Sequence, residues 1–176
     1  YRMNEFQAAV LLGQLAGAVD RFKQRNDNAA YLTEKLKGCP GITPQKLYPG
    51  TKSGSFYLYA MSFHKEHFNG IDRARFLKAL DAEGVGLSPY IERGLHREPW
   101  VDHILQSKSY RKMYSEQRLK QFKEEMSCPK CDQVCQEMAM IWASGPLLAS
   151  QQDMDDIADA ILKVYENRDK LAAMPA

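Results

Sequence analysis

Apolar side chains at Phe6, Val10, Leu11, Leu15, Val19 and Phe22 recur at three- and four-residue spacing, which predicts one long helix over residues 4–36. Asn4 is placed to cap it, with Gln7 three residues later in a capping-box pattern. Gly13, Ala16, Gly17 and Ala18 leave room for close approach, and each glycine costs a free helix up to about 1 kcal/mol. Contact with another helix or domain is therefore expected to hold this element. Gly38, Pro40 and Gly41 end it. Residues 42–47 read as a short edge strand and 49–54 as a loop. The aromatic-rich residues 55–63 read as a central strand. After a turn over 64–70, residues 72–83 form a helix with Phe76, Leu77 and Leu80 inward, stopped at Gly84. Residues 85–88 return as a strand, and 89–100 have no period. Helices are expected at about 110–125, 129–142 and 153–167, the last with Asp153, Asp155 and Asp156 at its positive end. This order predicts a small α+β sandwich: a long N-terminal helix, then a short, mostly antiparallel sheet covered by helices on one face.

The 176 residues are 44% hydrophobic, enough for one domain with a core. A net charge of +2 does not suit a nucleic-acid binder. The basic run over 108–123 is interleaved with Glu116 and followed by Glu124 and Glu125, so it reads as a solvated helix face. No apolar run approaches the roughly 20 residues that span a bilayer, and the amphipathic start is no signal peptide. Three of the four cysteines (Cys39, Cys128, Cys131, Cys135) crowd one segment, a poor disulfide framework, so reduced thiols in a cytoplasmic protein are expected. The chain opens at Tyr1 directly on a helix, which suggests a piece of a longer polypeptide.

Cys128-Pro-Lys-Cys131 with Cys135 is the most conspicuous local motif. A zinc site needs four ligands; the fourth is missing nearby, and His103 lies upstream where only folding could bring it close. Alternatively Pro129 begins a helix whose apolar face the cysteines line, and no metal is assigned. His64 and His67 lie in a turn without a carboxylate or thiol to complete a set. No nucleophile elbow, phosphate loop or dinucleotide fingerprint is present, so no catalytic residue is assigned and a site shared with another domain or subunit is expected. The aperiodic loop holds Tyr90, Arg93, His96 and Trp100. These side chains suit a polyhydroxylated or anionic ligand. Packing for the aromatics and solvent exposure for Arg93 and His96 fit equally well.

The string YRMNEFQAAVLLGQL over residues 1–15 closely resembles the "NYRM(S/T)E-x-QAA-x-x-x-x-QL" stretch of the DegT-type sugar aminotransferases. Its form is most like the cyclitol branch, which includes scyllo-inosose aminotransferase and aminohydroxybenzoate synthase. Later pieces fit in order. Arg25-Asn26-Asp27-Asn28-Ala29 resembles "RR-x-x-NA", and Ser55-Phe56-Tyr57-Leu58-Tyr59 resembles "SFYGY". Residues 75–84 resemble "R-x-x-F-x-x-AL-x-AEGI", 95–99 the "PLH-x-x-P" loop, and 154–163 the closing "DM-D-D-I-x-x-AI-x-K" helix. The chain departs from the pattern at Tyr90-Ile91-Glu92, where the family often has "HYP", at Gly94, where proline is common, and at Cys131, where alanine is common.

The resemblance implies a fold-type-I enzyme dependent on pyridoxal 5'-phosphate. It implies residues 1–36 as an interdomain helix and 37–176 as the small C-terminal domain. The large domain with the cofactor lysine would lie upstream. Arg2 and Asn4 are then the nearest carry-overs to the segment that reaches the cofactor phosphate of the neighbouring subunit in a homodimer. Tyr90, Arg93 and His96 are the candidates to face a sugar or cyclitol ketone, with glutamate or glutamine as amino donor. The competing expectation is a non-catalytic binding or regulatory domain that keeps the same fold.

Overall fold

The computed structural model describes residues 2–143 and 145–174. The predicted first helix is two: α1 (Glu5–Leu15) and α2 (Ala18–Leu36). Asn4 caps α1 through the expected box, its Oδ1 accepting from Gln7 N–H at 2.8 Å while Gln7 Oε1 accepts from Asn4 N–H at 3.1 Å. The break falls at Gly17, with φ −104° and ψ 9°. There the Arg21 guanidinium folds over the glycine and donates to the Gln14 carbonyl at 2.5 Å and to Gln14 Oε1 at 3.2 Å. A Cβ at position 17 would meet Arg21 Nη1 at 2.4 Å, so a side chain there would displace the arginine from its crossing. No residue of α1 is buried, whereas α2 buries Asn28, Ala29, Leu32 and Leu36.

Three strands make one antiparallel sheet in the order β1 (Ile42–Pro44), β2 (Leu58–Phe63), β3 (Ala139–Ala143). The edge and central placements of β1 and β2 match the sequence pattern, but β2 starts three residues later than predicted. Phe56 stands at φ +45°, a left-handed conformation costly for a bulky residue, and this breaks the extended run. The third strand is not the predicted one. Residues 139–143, expected at the end of a helix, pair with β2 in the register Tyr59↔Trp142 and Met61↔Met140. Helix α7 (Pro129–Gln133) stops early, a wide π turn at Val134–Met138 follows, and the chain then straightens. Among the described residues Val85 and Leu87, expected on a strand, are buried without forming one, and of that stretch Ser88 makes an isolated bridge.

Tyr59, Met61, Phe63, Met140 and Trp142 form the covered sheet face. Three helices close over it: α2, α3 (Arg73–Ala82, capped by Asp72) and α8 (Gln151–Glu166, capped by Ser150). They contribute Leu32 and Leu36, Phe76 and Leu80, and Met154, Ile157, Ile161 and Val164. Gly84 takes φ +84° just past α3, the left-handed stop that glycine supplies. Tyr31 Oη donates to Asp155 Oδ1 at 2.9 Å, and Lys35 Nζ lies 2.7 Å from the same atom, latching α2 to α8. The helix predicted over 110–125 is also two, α5 (Lys108–Met113) and α6 (Glu116–Glu125). They part where Tyr114 turns extended and Ser115 caps α6. Residues 95–97 form one 3-10 turn, α4 spans Pro99–Leu105, and α9 spans Arg168–Ala173.

Among the described residues Asn28 is the buried polar side chain of the core. Its Nδ2 donates to the carbonyls of Leu147 at 2.9 Å and Ala149 at 2.8 Å, tying α2 to the turn that leads into α8. Two residues earlier, Asn26 clamps the Gly54 backbone, donating to its carbonyl at 2.9 Å and accepting from its N–H at 3.0 Å. Asn28→Ala would strand two acceptors and is expected to cost about 1–3 kcal/mol. Urea unfolding checks it, as a lower midpoint with an unchanged slope.

Candidate functional site

The aperiodic loop is pinned at one end and solvated at the other. The Arg97 fork donates to both carboxylate oxygens of Asp132 on α7, Nε at 2.5 Å and Nη2 at 2.6 Å. Such bidentate, charge-assisted pairs are the strong ones. His96 Nε2 approaches the same carboxylate to 3.1 Å, off the line of a hydrogen bond, in a side chain only 11% exposed. The bond from Arg97, with a smaller contribution from His96, holds the Asp132 carboxyl below its usual range. Gly94 makes the seat possible: a Cβ there would meet Cys131 Sγ at 2.5 Å and His96 Cε1 at 2.7 Å. One of the residues that depart from the family pattern is thus the one that lets the loop lie on α7.

The predicted trio is divided by this geometry. His96 is nearly enclosed, while Tyr90 is 57% exposed and Arg93 stands in solvent. Trp100, at 50% exposure, is not a core residue. Beside His96 a cleft of about 390 Å³ opens, lined also by Arg97, Asp102, Lys123 and Met126. Its walls carry both charge signs, and its size suits a small polar ligand. Asp132 is the site residue that the sequence pattern missed. It lies inside the cysteine cluster, and only the fold brings α7 to the loop.

Arg2 and Asn4 are both exposed at the mouth of α1, and Tyr1 lies outside the described residues. Asn4 already spends its carbonyl oxygen on the helix cap, so its amide N–H groups are what it offers a ligand. The cysteines do not gather as a metal cage. Cys128 is exposed, Cys131 and Cys135 are half-buried with their sulfurs 3.9 Å apart, and no cluster of three or more metal-binding side chains occurs among the described residues. Among the same residues no helix is long and apolar enough to cross a membrane.

The fold is one found within aminotransferases. 3-Amino-5-hydroxybenzoic acid synthase superposes with TM-score 0.65 at 19% identity, over 94% of this chain and 40% of that one. The Helicobacter pylori aminotransferase PseC, involved in the biosynthesis of pseudoaminic acid, superposes with TM-score 0.59 at 21% identity, over 95% of this chain and 38% of that one. The chain belongs to the DegT/DnrJ/EryC1/StrS aminotransferase family, whose model matches residues 1–142. It is 31% identical to the L-glutamine:2-deoxy-scyllo-inosose aminotransferase of Micromonospora echinospora, over 96% of this chain and 39% of that protein. It is 30% identical to the protein of the same name from Streptomyces kanamyceticus, over 97% of this chain and 39% of that protein. The chain therefore spans about two fifths of the length of these relatives.

Proposed function

We propose that this chain is the small-domain part of a pyridoxal-phosphate-dependent aminotransferase that moves an amino group from glutamine or glutamate to a keto-cyclitol or keto-sugar. The observation that carries this is the near-complete match of the chain to about two fifths of glutamine-dependent inosose aminotransferases. In this reading residues 1–36 bridge to a large cofactor domain and residues 37–176 form the small domain. The apolar side chains that α1 leaves exposed, Phe6 and Leu12 among them, suit a helix built to be covered.

Pyridoxal phosphate supplies the electron sink for the transfer. The donor set here fits its phosphate in part. Arg2 offers an exposed cation and Asn4 the amide N–H groups left over from its capping bond. Both would act on the neighbouring subunit's cofactor in a homodimer. Nothing else in this chain is assigned to the cofactor.

The small domain's task is to hold the acceptor. Asp132 keeps Arg97 and His96 in place, so the loop presents one oriented imidazole beside a polar cleft. Tyr90 and Arg93, standing in solvent, are free to close on a hydroxylated substrate. The imidazole and the cleft's charged groups bond sugar hydroxyls.

The test uses the full-length polypeptide. Added pyridoxal phosphate should give a visible absorbance band that changes when glutamine or glutamate is added. His96→Ala in that protein should raise the KM for the keto acceptor about tenfold and leave the donor half-reaction unchanged. Absence of a cofactor band in folded full-length protein would favour the non-catalytic domain. Unaltered acceptor kinetics would remove His96 from the site.

A further inference from the structure

The three-cysteine segment has no part in the function above, yet its geometry is specific. Cys131 on α7 and Cys135 in the π turn bring their sulfurs to 3.9 Å. Cysteines four residues apart on a helix have Cα atoms about 6.2 Å apart, within the disulfide range. The wide turn carrying Cys135 departs from a regular helix, so the sulfurs can close the remaining gap of roughly 2 Å by local adjustment. Cys131 Sγ is also the surface on which Gly94 rests, and Asp132, the anchor of the loop bearing His96 and Arg97, is the next residue.

We propose that Cys131 and Cys135 form a redox-active dithiol whose oxidation to a disulfide loosens the hold of Asp132 on the loop bearing His96 and Arg97. The oxidant is a small-molecule disulfide such as oxidised glutathione. One protein thiolate attacks it, forming a mixed disulfide and expelling one thiol. The second cysteine attacks the protein cysteine's sulfur in that mixed disulfide, forming the Cys131–Cys135 bond and expelling the other small thiol. Two protein thiols give up two electrons and two protons, and one small disulfide becomes two small thiols. The contact between the two sulfurs and burial raise the Cys131 pKa, and either thiolate can open the exchange. Drawing Cys131 Sγ toward Cys135 withdraws it from Gly94 and turns the neighbouring Asp132. The inference stands on the thiol geometry and does not depend on the aminotransferase reading.

The sequence makes the test clean. Trypsin places Cys128 on the peptide 124–130 and both Cys131 and Cys135 on the peptide 131–163. The full-length protein is equilibrated with reduced and oxidised glutathione, alkylated and digested. The expected product is peptide 131–163 lighter by two hydrogens and unalkylated, with Cys128 alkylated. Cys131→Ser and Cys135→Ser variants should retain a glutathione adduct and form no internal bond. Brief native trypsin treatment should cut after Arg97 about tenfold faster in the oxidised protein, the scale of losing one charge-assisted bond pair. Persistent adducts in the parent protein, a link to Cys128 or no oxidation would overturn the dithiol. An internal disulfide with unchanged cleavage after Arg97 would overturn its action on the loop.

Discussion

Replacing Phe76 with alanine is expected to cost about 3–5 kcal/mol, a large share of the stability of a domain this size. Phe76 is fully buried on α3, and its ring meets those of Phe63 on β2 and Phe68, each with centroids 4.9 Å away. Phe68 in turn meets Tyr165 of α8 edge-on at 5.4 Å. The cluster therefore joins the sheet, the turn after it, and two covering helices. Truncation removes the apolar transfer energy and leaves a cavity that fixed neighbours on several sides cannot close. Equilibrium denaturation reads the loss. A cost below about 1 kcal/mol would mean that the site collapses and that α3 is not anchored as described.

The second large effect is alkaline. Burial pushes the Cys39 thiol from its ordinary 9.0 up to about 11. Burial likewise pushes the Tyr59 phenol from 10.0 up to about 12, partly offset by its 2.7 Å hydrogen bond with Thr33. Both folded-state values lie above the unfolded ones, so the native state retains protons that the unfolded chain has released. The contribution is fully present below about pH 9 and is lost as pH rises from about 9 to 12. Each shift of about two pKa units corresponds to about 2–3 kcal/mol, or about 5 kcal/mol together. Urea midpoints from pH 8 to 11.5 should fall steeply, and Cys39→Ala with Tyr59→Phe should flatten most of the slope. An equal slope in the double variant would place the alkaline transition elsewhere.

The local rules were legible where they acted locally. Asn4 and Gln7 announced the start of α1, Gly84 marked the stop of α3, and the aromatic-rich run over 55–63 marked a central strand. Helix α8 lay where its apolar period and acidic first turn placed it. Where the prediction failed, a distant partner decided. Ala139–Ala143 is as apolar as a buried helix end, and periodicity cannot separate the two. It becomes β3 because β2 has an open edge that needs backbone partners. Gly17 is a small residue in a helical pattern until the Arg21 side chain crosses it and the helix breaks.

The same division runs through the candidate site. The sequence by itself determined the family, through the residue order at the start of α1, and singled out the loop holding Tyr90, Arg93 and His96 as a candidate to face a ligand. It also made reduced thiols the expectation for the four cysteines, three of which crowd one segment. Only the tertiary structure decided that Asp132 anchors His96 and Arg97, that Gly94 must lack a side chain, and that the Cys131 sulfur supports the loop. Asp132 is 35 residues from Arg97 in the chain. A pairing across that separation leaves no periodic trace, because it depends on where α7 packs. That packing follows from the sheet edge that captures the residues just beyond it.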